Sequence, residues 1–212
     1  YDIAELAVRY YHLSLSRNPQ ALDYLRTERG LSPKAIKAFQ LGYAPQSWDA
    51  LTGMLKKKGY SYEQMVQAGV AAQKQGNSSA YDMFRARIVF PIFDSQGRPV
   101  GFSGRVLPGD EGGAKYINTP QTAVYNKSTA IYGLLQAKEA IRKHDEVVIV
   151  EGNMDVVALY DGGFEQVVAC SGTALTGEQL KVLSRLTKNI KICFDQDVAG
   201  VKAAQRAIEL AQ

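Results

Sequence analysis

Apolar residues recur at helical spacing through the N-terminal third of the chain. The first such run places one apolar face on a helix, formed by Ile3, Leu6, Ala7, Tyr10, Tyr11 and Leu13. N-cap signals then introduce further helices at Asn18-Pro19, at Ser32-Pro33, at Ser47, and at Ser61 with Gln64, the last being a capping box. The pattern therefore predicts consecutive helices, the second ending near Gly30 and the last at Gly69.

The helical period is lost after this segment. A polar stretch from Gln73 to Ser79 interrupts it, and two β-rich runs follow, over residues 85–93 and 99–105. The short connection 94–97, Asp-Ser-Gln-Gly, predicts that these runs form a hairpin. The glycine-rich segment 108–113 predicts a loop.

From Ile131 onward, helical and strand patterns alternate. Helices are expected to about Lys143, over 154–160, from Thr176 and from Ala199, and strands over 147–150, 166–170 and 190–194. Alternation of this kind predicts βαβ units and a parallel sheet. The last helical pattern runs to Gln212 without a C-cap signal, so we expect an excerpt whose α/β part is truncated at its C-terminus.

Composition narrows the class of protein. No apolar run approaches the length of about 20 residues that a membrane helix needs, and the first residues do not resemble a signal peptide. We therefore expect a cytoplasmic protein without a membrane partner. Cys170 and Cys193 lie in apolar runs and lack zinc-site or disulfide spacing, which favours buried, reduced thiols.

Charge divides the chain into two parts. Residues 1–127 contain sixteen Lys and Arg against ten Asp and Glu, a charge of +6, whereas residues 128–212 contain nine against eleven, a charge of −2. A basic part joined to an acidic part is typical of a polyanion-binding surface next to a metal site. Ordinary surface charge is the alternative interpretation.

Carboxylates follow two of the expected strands. Glu151 comes directly after strand 147–150, with Asp155 close behind, and Asp195 and Asp197 follow strand 190–194. The carboxyl ends of parallel strands meet at one edge of a sheet, so these groups can converge. Carboxylate oxygens suit Mg²⁺, with substrate phosphates completing its ligands, and metal-assisted phosphoryl transfer is the reaction type that follows.

Each aspartate also has a structural alternative. Asp195 or Asp197 could cap the following helix, and Asp155 could simply favour a helix N-terminus. Glu151 is harder to explain in this way, because glutamate is a poor N-cap and a charge at a buried strand end is costly without a partner.

The two acidic strings, Glu151-Gly-Asn-Met-Asp155 and Asp195-Gln-Asp197, resemble the Toprim signature. The surrounding sequence resembles something narrower, the RNA polymerase core of bacterial DNA primases of the DnaG type. The segments that carry this resemblance are 24–32, 39–45, 85–92, 101–105, 115–120, 125–127 and 131–134. The sequence departs from the family pattern at Asn153, Gln196 and Gln121, none of which is a metal ligand.

This resemblance implies an α/β fold class: a basic α+β subdomain, residues 1–127, followed by an incomplete Toprim subdomain, residues 128–212. It implies an enzyme, a nucleotidyltransferase that makes RNA primers from ribonucleoside triphosphates on single-stranded DNA. Glu151, Asp195 and Asp197 would bind Mg²⁺, for which Mn²⁺ can substitute, with Asp155 nearby in the catalytic site. Zinc is expected only in an upstream domain, and a replicative helicase only through a downstream domain.

The resemblance also implies roles for four basic residues in binding template or nucleotide, namely Arg29, Arg105, Lys115 and Lys127. Guanidinium and ammonium groups suit phosphate, although each could also be plain surface charge. Arg85 and Arg87 are expected to share one face of a strand and to extend this surface. Two further hypotheses stay open: a Toprim module that binds single-stranded DNA without catalysis, and a Toprim nuclease or topoisomerase.

Overall fold

The computed structural model describes residues 1–73, 76, 78–109, 113–170 and 175–211. The chain forms two compact units. The first comprises residues 1–30, 40–92 and 98–125, and the second comprises 31–39, 93–97 and 126–212. The second unit thus contains two short segments from the N-terminal half, which sequence position alone does not reveal.

Helices dominate the start of the chain, as predicted. Helices α1 (Asp2–Ser16), α2 (Pro19–Asp23), α4 (Ala50–Lys57) and α5 (Tyr62–Gln67) belong to the first unit, whereas α3 (Pro33–Ala38) belongs to the second. A turn of π-helix, Tyr24–Glu28, continues α2 to the vicinity of Gly30. The expected caps are confirmed, because the side chains of Asn18, Ser32 and Ser61 accept hydrogen bonds from backbone N–H groups of the helices that follow them.

The fourth helix begins differently from the prediction. Ser47 does not cap it, and α4 starts only at Ala50. The N–H groups of Leu51 and Thr52 instead donate to the buried carboxylate of Asp82, both at 2.8 Å. This cap comes from a residue about thirty positions away, so no local signal could have predicted it.

Two antiparallel sheets complete the first unit. The larger has the order β1-β4-β5-β6, and its strands are β1 (Gly42–Ala44), β4 (Arg87–Phe93), β5 (Pro99–Val106) and β6 (Tyr116–Asn118). The predicted hairpin is the β4–β5 pair, with a turn closed by a Gly97 N–H bond to the Asp94 carbonyl. A smaller sheet pairs β2 (Ala71–Gln73) with β3 (Ala80–Asp82), where the sequence pattern indicated only a polar break.

Aromatic side chains hold this unit together. Tyr11 of α1 packs edge-on against Phe84 and Phe102, and all three are almost completely buried. Helix α1 can approach β1 closely because Gly42 has no Cβ. A Cβ at this position would stand only 2.5 Å from the Cβ of Tyr11. Leu13, assigned to the apolar face from sequence, is instead half exposed.

The second unit contains the predicted parallel sheet, in the order β8-β7-β9. Its strands are β7 (Val147–Val150), β8 (Val167–Ala169) and β9 (Ile190–Cys193), and its further helices are α6 (Leu134–His144), α7 (Asn153–Asp161), α8 (Gly177–Leu183) and α9 (Val198–Ala211). The Thr176–Gln179 capping box is confirmed at the start of α8. Helix α3 is tied to α7 by hydrogen bonds from Ser32 to the Asp161 carboxylate.

The two cysteines differ in exposure. Cys170 is buried, and burial raises the pKa of its thiol to about 12. Cys193 is exposed, so the expectation of two buried thiols is wrong for this residue. Its strand, β9, lies at the edge of the sheet as the structure describes it, and alternate side chains of β9 face away from the core.

The loop expected over 108–113 and the polar stretch 73–79 fall partly on residues outside the described ranges. Among the helices that the structure describes, none has the length and apolar character needed to cross a membrane.

Candidate functional site

Two acidic residues lie side by side because the strands before them are neighbours. Strand β7 pairs in parallel with β9, and Val150 is opposite Cys193. Glu151 follows Val150 directly, and Asp195 stands two residues after Cys193. The structure therefore places this pair together at the carboxyl edge of the sheet.

Glu151 is held in a strongly anionic environment. Its carboxylate accepts a hydrogen bond from the backbone of Asp195, which lowers its pKa. Partial burial and the charges of Asp195, Asp197 and Asp155 act in the opposite direction and outweigh it, so the pKa of Glu151 is raised. Mutual repulsion of this kind is relieved when a cation binds.

Two of the aspartates also stabilise helix termini. Asp197 accepts from the N–H of Gly200 at 2.7 Å and so caps α9, while Asp155 accepts from the N–H of Gly152 at 3.1 Å at the start of α7. Both carboxylates are exposed, and each retains oxygen lone pairs for a further ligand. Asp155 and Asp197 can therefore each stabilise a helix terminus and still be available to a metal.

Gly200 has no side chain, and this absence leaves room for the Glu151 carboxylate and the backbone of Asp195. A Cβ at this position would stand 2.8 Å from Oε1 of Glu151 and would overlap the backbone carbonyl of Asp195. Any larger residue would push apart the end of β7 and the turn after β9. Sequence reasoning did not identify Gly200 as a site residue, although it follows the acidic string at a short, fixed spacing.

The acidic residues fit one class of metal better than others. Within the described ranges, no three His, Cys, Asp or Glu side chains form a group already arranged to hold a metal. A hard cation such as Mg²⁺ binds through one or two carboxylates and takes its other ligands from water and phosphate. The donors at hand, all carboxylate oxygens, agree with that chemistry.

Two of the predicted basic residues meet in the first unit. Arg29 donates from Nε to the hydroxyl of Tyr24 at 2.9 Å, and its guanidinium lies 5.5 Å from the centre of that ring. Arg105, on β5, lies 5.6 Å from the centre of the same ring. Neither guanidinium has a carboxylate partner among the described residues, so the positive charge of this pair is uncompensated.

Arg85 and Arg87 do not share one face of a strand, contrary to the prediction. Strand β4 starts at Arg87, and Ala86 adopts a left-handed backbone with φ of 49°. Arg87 is buried and donates to the carbonyls of Gly104 and Ala114. Its side chain therefore ties β5 to the segment before β6, a structural role that the sequence did not indicate.

Arg85 instead forms part of a surface pocket of about 350 Å³. Its guanidinium stacks on the indole of Trp48 at 3.9 Å, and Trp48 is 62% exposed. Tyr81 packs edge-on against the same indole at 5.4 Å. Trp48 therefore presents an exposed aromatic surface next to a cation.

The two predicted lysines lie in different units. Lys115 is exposed in the segment that leads into β6, in the first unit. Lys127 is half-buried in the second unit, where its backbone carbonyl accepts from the side-chain amide of Gln179 at 3.4 Å. The predicted cations therefore do not all belong to one compact unit.

Comparisons with known proteins agree with this arrangement. Residues 10–138 match the DNA primase catalytic core, N-terminal domain, and residues 145–212 match the Toprim domain. The chain is 44% identical to a DNA primase of Deinococcus radiodurans over 210 residues, covering 99% of this chain and 36% of that protein.

Solved structures show the same similarity. A DNA primase domain from Pseudomonas aeruginosa superposes with a TM-score of 0.89 at 42% identity, covering 99% of this chain and 65% of that one. A DnaG primase catalytic domain bound to single-stranded DNA superposes with a TM-score of 0.88 at 36% identity, covering 100% and 67%.

The fold and the acidic edge define a Toprim-containing core of mixed α and β structure. The chain belongs to the DnaG-type DNA primase family. Membership of this family implies use of a divalent metal. The chain spans about a third of the length of the curated relatives it matches.

Proposed function

We propose that the protein synthesises short RNA primers on single-stranded DNA by metal-assisted nucleotidyl transfer. One observation carries the proposal: Glu151 and Asp195 converge at neighbouring strand ends in a chain that belongs to the primase family. Carboxylates at this edge can hold the cation that a triphosphate requires.

Magnesium is the cation that these donors favour, and Mn²⁺ can replace it because it also prefers oxygen ligands. Glu151, Asp195 and Asp197 would hold it. When bound, the cation neutralises charge on the phosphates of the substrate and on the reacting oxygens. Because the protein offers few ligands, affinity for the free ion should be weak without nucleotide.

The four acidic side chains have different roles in the proposed site. Glu151 and Asp195 supply the negative potential that attracts the cation, and the hydrogen bond from the Asp195 backbone fixes the direction of the Glu151 carboxylate. Asp197 caps α9 and so keeps the turn after β9 in place beside it. Asp155 fixes the turn at Gly152 and adds to the anionic potential.

Basic side chains would bind the phosphates of template and nucleotide. Arg29 and Arg105 are the strongest candidates, because their charges have no carboxylate partner in the described part of the chain. Lys115 is exposed and available for the same purpose. Lys127 remains a prediction of the resemblance, whereas Arg87 is buried and bonded to backbone carbonyls.

Trp48 adds a contact of another kind. An exposed indole stacked on the Arg85 guanidinium offers a flat surface to an unpaired base, and stacking of this kind does not depend on base identity. Single-stranded DNA is the ligand that combines unpaired bases with phosphates, and a similar primase domain has been solved with it. Ribonucleoside triphosphates, the RNA product, the helicase and the upstream zinc domain remain expectations of the resemblance.

Salt dependence of DNA binding tests these contacts. For single-stranded DNA, the logarithm of the association constant should fall with the logarithm of salt concentration by about 0.7 per phosphate neutralised. Arg105→Ala should reduce that slope by about this amount, because one phosphate contact is lost. Fluorescence anisotropy with a labelled oligonucleotide over a series of salt concentrations measures the change.

Trp48→Ala is the matched comparison, since indole carries no charge. It should weaken binding by about 1–3 kcal/mol at every salt concentration and leave the slope unchanged. An unaltered slope in Arg105→Ala would refute its phosphate contact, and unaltered affinity in Trp48→Ala would refute the stacking contact.

A further inference from the structure

The turn of π-helix at Tyr24–Glu28 brings two functional side chains together. The backbone N–H of Arg29 bonds to the carbonyl of Tyr24 at 3.0 Å, five residues earlier. In a regular α-helix, residues five apart do not lie on the same face. The wider turn therefore lets the Arg29 guanidinium fold back onto Tyr24, where Nε donates to the phenolic oxygen.

A second tyrosine holds the second arginine. Arg105 on β5 stands directly opposite Tyr116 on β6 in the antiparallel register. Its Nη1 donates to the Tyr116 hydroxyl at 3.0 Å, and the Tyr116 ring centre is 5.6 Å from the guanidinium. Side chains of directly opposed residues are the closest cross-strand neighbours in a sheet, which fixes this contact.

Tyr24 connects the two arginines. Tyr24 is almost completely buried, and the centre of its ring is 5.5 Å from the guanidinium of Arg29 and 5.6 Å from that of Arg105. Each guanidinium is attracted to the ring, and a shared anion would offset the repulsion between the two positive charges. Nε of Arg105 is in addition buried and has no hydrogen-bond partner among the described residues, so one donor of this pair is left for a ligand.

We infer that Tyr24 and Tyr116 are positioning residues that hold Arg29 and Arg105 as a preorganised pair for one phosphate group. This inference rests on the proposed function, because it assigns the phosphate to template DNA or to a ribonucleoside triphosphate. Long arginine side chains lose rotamer freedom when they bind a ligand. Tyrosines that restrict them beforehand reduce this loss and fix the direction of the guanidinium donors.

Removal of the phenolic hydroxyl tests the inference with little change in packing. Tyr24→Phe keeps the buried ring and both cation–π contacts but deletes the acceptor of Arg29. In the intact protein, it should weaken phosphate binding about three- to tenfold, which lies within the range for loss of one ordinary hydrogen bond. The affinity for single-stranded DNA and the KM for ribonucleoside triphosphate are both measured, and the one that changes identifies the source of the phosphate.

Tyr62→Phe is the control, because Lys56 lies over the Tyr62 ring at 4.4 Å in a similar cation–π pair that is not assigned to the site. It should leave both quantities unchanged. The decisive comparison is Tyr24→Phe in an Arg29→Ala background, where a positioning role predicts no further loss. A loss that persists there would overturn the inference, because Tyr24 would then act on the fold and not through Arg29.

The arginine variants separate this inference from the proposed function. If Arg29→Ala and Arg105→Ala weaken binding of DNA or nucleotide while Tyr24→Phe and Tyr116→Phe do not, the positioning role is wrong and the phosphate contacts stand. If the two arginine variants also leave both quantities unchanged, the phosphate contacts of the proposed function are wrong.

Discussion

Asp195→Asn is expected to abolish most RNA primer synthesis while DNA binding persists. The substitution keeps nearly the same volume but removes one of the two charges that converge at the ends of β7 and β9. A cation that neutralises the reacting phosphates needs that charge, and loss of one electrostatic contact to a transition state commonly costs on the order of 10²–10³ in rate. DNA binding should persist because no positive group is removed.

Template-dependent incorporation of labelled ribonucleotides by the intact protein measures this effect, beside the anisotropy of a labelled oligonucleotide. Glu178→Gln is the control. Its carboxylate is exposed and forms a surface ion pair with Lys181, which contributes little to stability. Near-normal synthesis by Asp195→Asn would contradict the metal role, and absence of synthesis even by the unmutated protein would favour a binding module without catalysis.

Gly200→Ala is expected to lower primer synthesis by a similar factor, although it removes no charge, because it moves the acidic residues. Alanine is a better helix former than glycine by about 1 kcal/mol, so in open space this change should stabilise α9. Here the new Cβ would stand 2.8 Å from Oε1 of Glu151. Relief of this contact must move Glu151 or the turn that carries Asp195, and displacement of either separates the metal ligands.

Gly53→Ala is the matched control, since Gly53 also lies within a helix and nothing in the structure comes within 4 Å of its added Cβ. It should retain full synthesis and unfold at the same or a higher temperature. Gly200→Ala should retain its circular dichroism spectrum while synthesis falls on the order of a hundredfold. Full activity of Gly200→Ala would show that the acidic pair does not require this close packing.

The elements that sequence predicted correctly are those governed by neighbouring residues. Capping boxes at Ser61 and Thr176 need only a partner three positions later, and strand 147–150 is a continuous apolar run. The cap of α4 was missed because its acceptor, Asp82, comes from a distant strand. The three-residue strands β1, β2, β3 and β6 were missed because so few residues give no alternating pattern.

Some features of the candidate site could likewise be predicted from the sequence, and others could not. Sequence could predict that Glu151 and Asp195 lie at the same edge of a parallel sheet, but not that their strands, β7 and β9, are neighbours. The burial of Arg87 could not be predicted, since it depends on carbonyl groups 17 and 27 positions further along the chain. The exposure of Trp48 was equally hidden, because an apolar residue before a helix usually predicts burial.

Anomalous diffraction from crystals of the protein grown with Mn²⁺ and a ribonucleoside triphosphate tests the central claim most directly. We expect a Mn²⁺ peak at the carboxyl edge of the parallel sheet, with oxygen ligands from Glu151 and Asp195 at about 2.0–2.2 Å and phosphate oxygens among the remaining ligands. Mn²⁺ bound elsewhere, with none near Glu151, Asp195 and Asp197, would contradict the account.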